Sequence, residues 1–397
     1  MAFYDALPPQ DHLPGLDHEV LYFWHAHDVF AASLEASADR EVWMFYDGPP
    51  TANGMPGIHH VEARVFKDMF PRYRTMKGYH VPRKAGWDCH GLPVEIAVEK
   101  ELGLSSKSEI ESYGVAEFNA RCRTSVLRHV DAWEAMTDRM GFWIDMSDPY
   151  KTMDPEYVQS VWWSLKTIFD AGLLVEDHRV TPYCPRCGTS LSDHELGQPG
   201  GYETVVDPSV YVRFPLTSGP HAGAADLLVW TTTPWTLVSN TAVAVHPDVT
   251  YVLVEHAELA RPVVVAEALV EAAVGEGARE LDRFTGRAME RWTYDRPFAL
   301  VDIPDAHLVV LGDYVTTDDG TGLVHQAPAF GADDLAVCKA YGLPVVHPVR
   351  PDGTFAHDVP LVGGQFFMHA DTDRVRDLDD RGRLWRHVPY EHPYPHC

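Results

Sequence analysis

Several groups of residues in this 397-residue chain have the types and spacing to do chemistry. The first is the turn DGPPTANGMPG (Asp47 to Gly57), set between the apolar run Val42–Tyr46 and a helical pattern that begins near Ile58. Glycine and proline let backbone come close to a ligand, and the unpaired amides of a helix's first turn attract phosphate. His59 and His60 fall at that turn, where they could donate hydrogen bonds to phosphate oxygens or simply be a solvated pair. The second is Asp88 in RKAGWDCHGLPVE (Arg83 to Glu95), between a basic pair and a helix with Pro93 near its start. Its carboxylate could hold a small ammonium, or serve only to form the turn. The third is CPRC, in which Cys184 and Cys187 have the spacing of half a zinc knuckle or of a redox pair, zinc being preferred because no thioredoxin-like context surrounds them. The fourth joins Thr231, Thr232 and Thr233 of WTTTPWTLVSNTAV to His325 and Asp334 of GTGLVHQAPAFGADD. Hydroxyls can bind a ribose or a water and a carboxylate can select an ammonium, although threonine also suits a plain strand and aspartate a helix cap.

These groups need elements to hold them. Apolar spacing predicts a helix over 20–35, packed on the sheet that Val42–Tyr46 joins. Helices are expected from Pro93 to Gly103, over 115–140, and from Asp154–Pro155 to Gly172. Strand and helix alternate through this region, which favours a doubly wound α/β domain. From about residue 173 the texture changes. Short β-branched runs follow one another at 210–214, 227–232, 241–245, 250–254, 263–265, 308–311 and 323–326, with helices expected over 267–274 and 333–341. That spacing predicts a β-rich second domain, a barrel or sandwich, inserted after the α/β unit.

Composition limits the possible classes. Hydrophobic residues make up 45% and charged residues 23%, as in ordinary globular proteins. No uncharged apolar run approaches the length of a membrane span and no signal-peptide pattern opens the chain, so a cytoplasmic location is expected. Six cysteines in so long a chain do not make a disulfide framework. A formal charge of −26 argues against broad coating of nucleic acid. The dense basic stretch runs from Arg64 to Lys84, beside the first turn, and the overall charge does not argue against a grip on one acceptor end.

The turn GPPTANG, the pair at His59 and His60, and GWDCHGLPVE together resemble the class I aminoacyl-tRNA synthetases, specifically the isoleucine branch. The likeness runs from about residue 20 to Cys397. It implies a Rossmann-like catalytic domain over 1–198 carrying the knuckle, an inserted editing barrel over 199–388, and a return segment from 389. It further implies that Gly57, His59 and His60 handle ATP with Mg2+, and that Gly48, Pro49 and Asp88 hold isoleucine. Thr231, Thr232, Thr233, His325 and Asp334 would surround the misacylated end of tRNA(Ile), and Cys397 would join Cys184 and Cys187 on structural zinc. This chain reads Gly57, Ile58, His59, His60 where the family usually has His, an apolar residue, Gly, His, which supports His60 more than His59. The family's KMSKS-type lysine loop does not occur, so no adenylate synthesis is expected of these 397 residues by themselves. A deacylase acting alone and a non-catalytic tRNA-binding paralogue are the other readings. The expectation of editing has an energetic basis. The established worth of one methylene, measured on this very discrimination between isoleucine and valine, is only about 1–3 kcal/mol.

Overall fold

The computed structural model describes residues 13–396, and the expected zinc ligand Cys397 lies outside them. Two compact units divide the chain, Met1–Glu176 and Asp177–Cys397. Residues 177–198, and with them the CPRC turn, belong to the second.

The first unit is a mixed α/β body. Its elements are α1 (Leu13–Ala26), α2 (Val29–Glu35), β1 (Phe45–Tyr46), α3 (Ile58–Met76), β2 (Arg83–Trp87), α4 (Leu92–Leu102), α5 (Lys107–Tyr113), α6 (Val115–Ser125), α7 (Val130–Arg139), β3 (Asp145–Lys151) and α8 (Pro155–Asp170). All three strands are parallel, in the order β1-β2-β3. Two helices expected from the sequence are broken. Asp28 adopts a left-handed conformation, φ 44°, and separates α1 from α2. The pattern over 115–140 divides into α6 and α7, because the backbone amide of His129 leaves the helix to donate to the Ala52 carbonyl at 2.9 Å. That bond ties the break to the Asp47–Gly57 turn. As expected, α4 ends on Gly103 in the left-handed region, and α8 opens on Asp154 with Pro155 in its first turn.

The second unit contains β4 (Tyr183–Cys184), β5 (Thr189–Ser190), α9 (Asp193–Leu196), β6 (Tyr202–Pro215), β7 (Asp226–Thr231), β8 (Ala242–Val245), β9 (Thr250–Glu255), β10 (Val263–Ala266), α10 (Val270–Ala273), β11 (Arg279–Thr285), β12 (Leu308–Leu311), β13 (Leu323–Gln326), α11 (Ala332–Tyr341), α12 (Asp371–Asp380) and β14 (Leu384–Pro395). Every β-branched run expected to be a strand is one. Nine strands join in a mixed sheet, β11-β9-β10-β7-β13-β8-β12, with β6 also on β7 and β14 on β6. Its terminal strands β11 and β12 do not pair with each other among the described residues, so the sheet is open where a closed barrel was one expectation. Val210, Phe214, Leu227, Val229, Val252 and Val264 fill its main core.

In this sheet β7 has a special place. It pairs with β10 through Asp226 and Leu227 and, further along, with β13 through the parallel register Trp230↔Val324. The residues that follow in each strand, Thr231 and His325, are therefore brought side by side.

Candidate active sites

All five residues singled out in the β-rich region line one cavity of about 440 Å3. Thr231 ends β7, and Thr232 and Thr233 lead into a short 3-10 turn, Pro234–Ser239. His325 lies on β13 and Asp334 in the first turn of α11. Trp235 and Phe330 meet edge-to-face at 4.7 Å and form an apolar part of the wall.

The threonines are linked to one another and to the histidine. The Thr233 amide donates to Thr231 Oγ1 at 3.2 Å, and the hydroxyls of Thr233 and Thr236 lie 3.3 Å apart. Thr236 donates to the Thr233 carbonyl at 2.8 Å, and its Oγ1 is 3.0 Å from His325 Nε2. On the other side of the ring, Asn240 Nδ2 meets His325 Nδ1 at 2.8 Å. Burial holds the His325 pKa down to about 3, so the ring is neutral at physiological pH. With both nitrogens engaged and so low a basicity, His325 orients its neighbours and is not poised to take a proton.

Asp334 differs in its electrostatics. One carboxylate oxygen accepts the Ala327 amide at 2.7 Å, which ties the loop after β13 to the start of α11. Burial raises its pKa to about 6; the Ala327 amide partly offsets that shift and the neighbouring Asp333 adds to it. A half-desolvated carboxylate at a cavity wall gains by meeting a cation, and an ammonium group would stabilise its ionised form.

In the first unit the expected residues sit at the carboxyl edge of the parallel sheet. The Asp47–Gly57 turn leaves β1 and Asp88 leaves β2, and the two are joined by a hydrogen bond from the Asp88 amide to the Pro50 carbonyl at 3.0 Å. Gly57 precedes the first turn of α3, and its amide donates to His60 Nδ1 at 2.8 Å. Only Nε2 of His60 is then left to donate to a ligand. The ring packs edge-on against Trp133 at 4.4 Å, and Trp133 Nε1 donates to the Gly54 carbonyl at 2.9 Å. His60 has a lowered pKa, through burial first and then the nearby His59 and Arg64. His59 is exposed, its ring 3.8 Å from that of His60. Asp88 accepts the His90 amide at 3.2 Å, the turn-forming role that had been its alternative. Gly48 is exposed and its carbonyl accepts Lys67 Nζ at 2.6 Å; Pro49 follows it, half-buried, in the same turn.

The sequence reading missed Asp47, which anchors this edge. It is buried, receives Lys67 at 2.8 Å and faces Arg64 at 3.5 Å, while Tyr150 donates to its carbonyl. Arg83 is likewise buried and faces Asp68 at 3.9 Å, and Lys84 reaches Asp148 at 2.7 Å. Much of the basic stretch is thus engaged with internal partners.

The CPRC turn is a hairpin. Tyr183 and Cys184 pair with Ser190 and Thr189, and both thiols are buried. No group of three or more His, Cys, Asp or Glu side chains that could hold a metal forms among the described residues. Tyr394 and Pro395 line the same cavity as Tyr183 and Pro185, which places the chain just before Cys397 beside the hairpin.

The family "tRNA synthetases class I (I, L, M and V)" matches residues 19–267. The chain belongs to this family. It is 69% identical to the isoleucine–tRNA ligase of Streptomyces coelicolor and 66% identical to that of Thermobifida fusca, over 99% of its own length in each case. It spans about 37% of the length of those two ligases. Among solved structures, "The crystal structure of GlLeuRS-CP1" aligns with 45% of this chain and 96% of its own at TM-score 0.37 and 15% identity, too loose a likeness to argue from. No helix among the described residues is long and apolar enough to cross a membrane.

Proposed function

We propose that this chain is the N-terminal part of an isoleucine–tRNA ligase and that its second unit carries the editing reaction, hydrolysis of valine from tRNA(Ile). The observation that carries the reading is the convergence of Thr231, Thr232, Thr233, His325 and Asp334 on one cavity from three separate elements. In this reading Asp334 receives the ammonium of the misattached amino acid. The threonine hydroxyls hold the terminal ribose and the attacking water. Water adds to the ester carbonyl, the ester C–O bond breaks, and the proton passes to the departing ribose oxygen. The editing reading requires that the cavity accept valine and reject isoleucine. The purified chain should therefore deacylate Val-tRNA(Ile) well above the uncatalysed rate and spare Ile-tRNA(Ile). Asp334→Ala should lose that preference, and equal behaviour of mutant and wild type towards both substrates would sink the reading.

The first unit then supplies half of a Rossmann-like adenylation site. His60 Nε2 and the first amides of α3 would meet ATP phosphate, with His59 beside them, and Mg2+ would accompany the nucleotide. Asp88, Gly48 and Pro49 would hold isoleucine at the ends of β1 and β2. The side chains of α8 leave an apolar face exposed on this unit, with Trp162 and Trp163 at 69% and 71% exposure. Isoleucine binding measured by calorimetry, weakened by Asp88→Ala, is the check on this half.

Zinc fits the hairpin as the fold presents it. Two buried thiols three residues apart are the donor set of half a structural site, and the strand that leads to Cys397 runs beside them. Bound there, the metal would fix the hairpin and take no part in either reaction.

A further inference from the structure

Asn240 sits behind the editing cavity with its amide fully enclosed, 1% exposed. One end of that amide lies 3.1 Å from the Ala242 carbonyl and 2.8 Å from His325 Nδ1; the other lies 2.8 Å from the Tyr294 hydroxyl. A backbone carbonyl can only accept, so the end facing Ala242 is the NH2 group. The amide oxygen therefore faces Tyr294, and the phenol must donate to it. One of the two amide protons points at His325 Nδ1, which must then be the bare nitrogen of the ring. Since the ring is neutral, its proton is on Nε2 and is donated to Thr236 Oγ1. The Thr236 hydroxyl, accepting there, turns its own proton to the Thr233 carbonyl and closes the turn that presents Thr231, Thr232 and Thr233.

We infer that Tyr294 is a positioning residue of the cavity: acting through Asn240, it holds His325 in the Nε2–H tautomer and so sets the direction of the hydrogen-bond chain that ends at the threonines. Tyr294 touches no part of the cavity itself. It is buried against Phe214, with ring centroids 5.2 Å apart, and burial keeps its hydroxyl protonated far above physiological pH. Without the phenol proton the Asn240 oxygen is left buried and unpaired. The amide then has reason to rotate away from the ring, and His325 Nδ1 loses the donor that selects its tautomer.

The catalytic part of this inference rests on the hydrolytic reading above; the tautomer part does not. Ring 15N shifts of His325, identified by difference with His325→Gln, should show bare Nδ1 and protonated Nε2 in the wild-type chain. Tyr294→Phe should show a mixture of tautomers. It should also lower kcat for Val-tRNA(Ile) at least tenfold while KM stays within about twofold. Asn240→Asp keeps the phenol partner but offers the ring only an acceptor, so it should convert His325 to the Nδ1–H form; this arm stands if Tyr294→Phe fails to fold. The inference is overturned if wild-type His325 carries its proton on Nδ1, or if Tyr294→Phe keeps a pure Nε2–H ring and wild-type kcat. A tautomer shift in a chain with no deacylase activity would uphold the positioning and remove only the hydrolytic reading.

Discussion

Replacing Asp334 by asparagine keeps the size of the side chain and removes its charge, and the structure fixes what should follow. The carboxylate has a pKa of about 6 because it is buried. If it must be ionised to receive the substrate ammonium, kcat/KM of the free site rises with pH up to about 6, and at pH 5 lies about tenfold below its plateau. The ammonium itself is lost near the α-amino range of about 7.7–8.0, so the profile should fall again above it. The wild-type chain is thus expected to show a bell between these limbs. Asp334→Asn should lose the acid limb and lie lower throughout, since removing one partner of a buried charge pair costs about 2–5 kcal/mol, or roughly 30- to 5000-fold. Stability should move the other way. The folded-state pKa lies above the unfolded value, so the stabilisation linked to this proton is complete below about pH 4 and is lost as pH rises through about 6. At pH 7 the variant should be more stable than wild type by up to about 3 kcal/mol, and the gap should close below pH 4. The assays are release of valine from Val-tRNA(Ile) between pH 5 and 8.5, corrected for spontaneous hydrolysis, and urea melts at pH 4 and 7. A wild-type rate independent of pH from 5 to 7, or an acid limb that survives in Asp334→Asn, would refute the assignment.

Two further outcomes follow from neighbouring geometry. A Cβ added at Gly331 would lie 2.6 Å from the Asp334 carboxylate, while the backbone there, at φ −122°, accepts any residue. Gly331→Ala should therefore fold normally yet push the carboxylate off the Ala327 amide, lowering kcat/KM about 10- to 100-fold, the worth of a charged hydrogen bond of about 1.5–3 kcal/mol; activity within twofold of wild type would show that Asp334 does not need that position. For the hairpin, wild-type chain purified without chelator should contain zinc by atomic absorption and Cys184→Ser should lose it, and equal content in both would assign the metal elsewhere.

The parts of this molecule that could be read in the sequence are those in which one short segment carries its own signal. Runs such as Val263–Ala266 and Leu308–Leu311 are apolar throughout with β-branched valines at their centres, and became strands. By contrast β14 contains Pro389, Pro393 and Pro395 and was not foreseen; among the described residues it is an edge strand that pairs with β6 alone, where a missing amide does less harm. The helix α12, DTDRVRDLDD, reads as solvent-exposed, but it is anchored by the fully buried Arg374 paired with Asp371 at 2.6 Å and lying over Phe355 at 5.2 Å. Arg64 and Arg83 are buried in the same way, since a cation's burial depends on a carboxylate supplied from another element.

The candidate editing site divides along the same line. Thr231, Thr232 and Thr233 announce themselves as a run, and His325 and Asp334 sit in a segment with its own character, so side chains that face a ligand were legible. Asn240 and Tyr294 were not. They lie 54 positions apart in the chain, and Asn240 lies 85 from His325. Asn240 lies within the WTTTPWTLVSNTAV segment yet carries no signal beside its threonines, and Tyr294 stands in no motif, because what each must satisfy is a hydrogen-bonding partner brought up by the sheet. Such residues are held by direction of donation more than by charge or shape, so a change as small as one hydroxyl at Tyr294 reaches the cavity while leaving every residue that lines it in place. On the proposed hydrolytic reading, the threonines can therefore be intact and correctly placed and still present the wrong atom to the ester. Their chemistry is set from behind, by which nitrogen of His325 holds the proton.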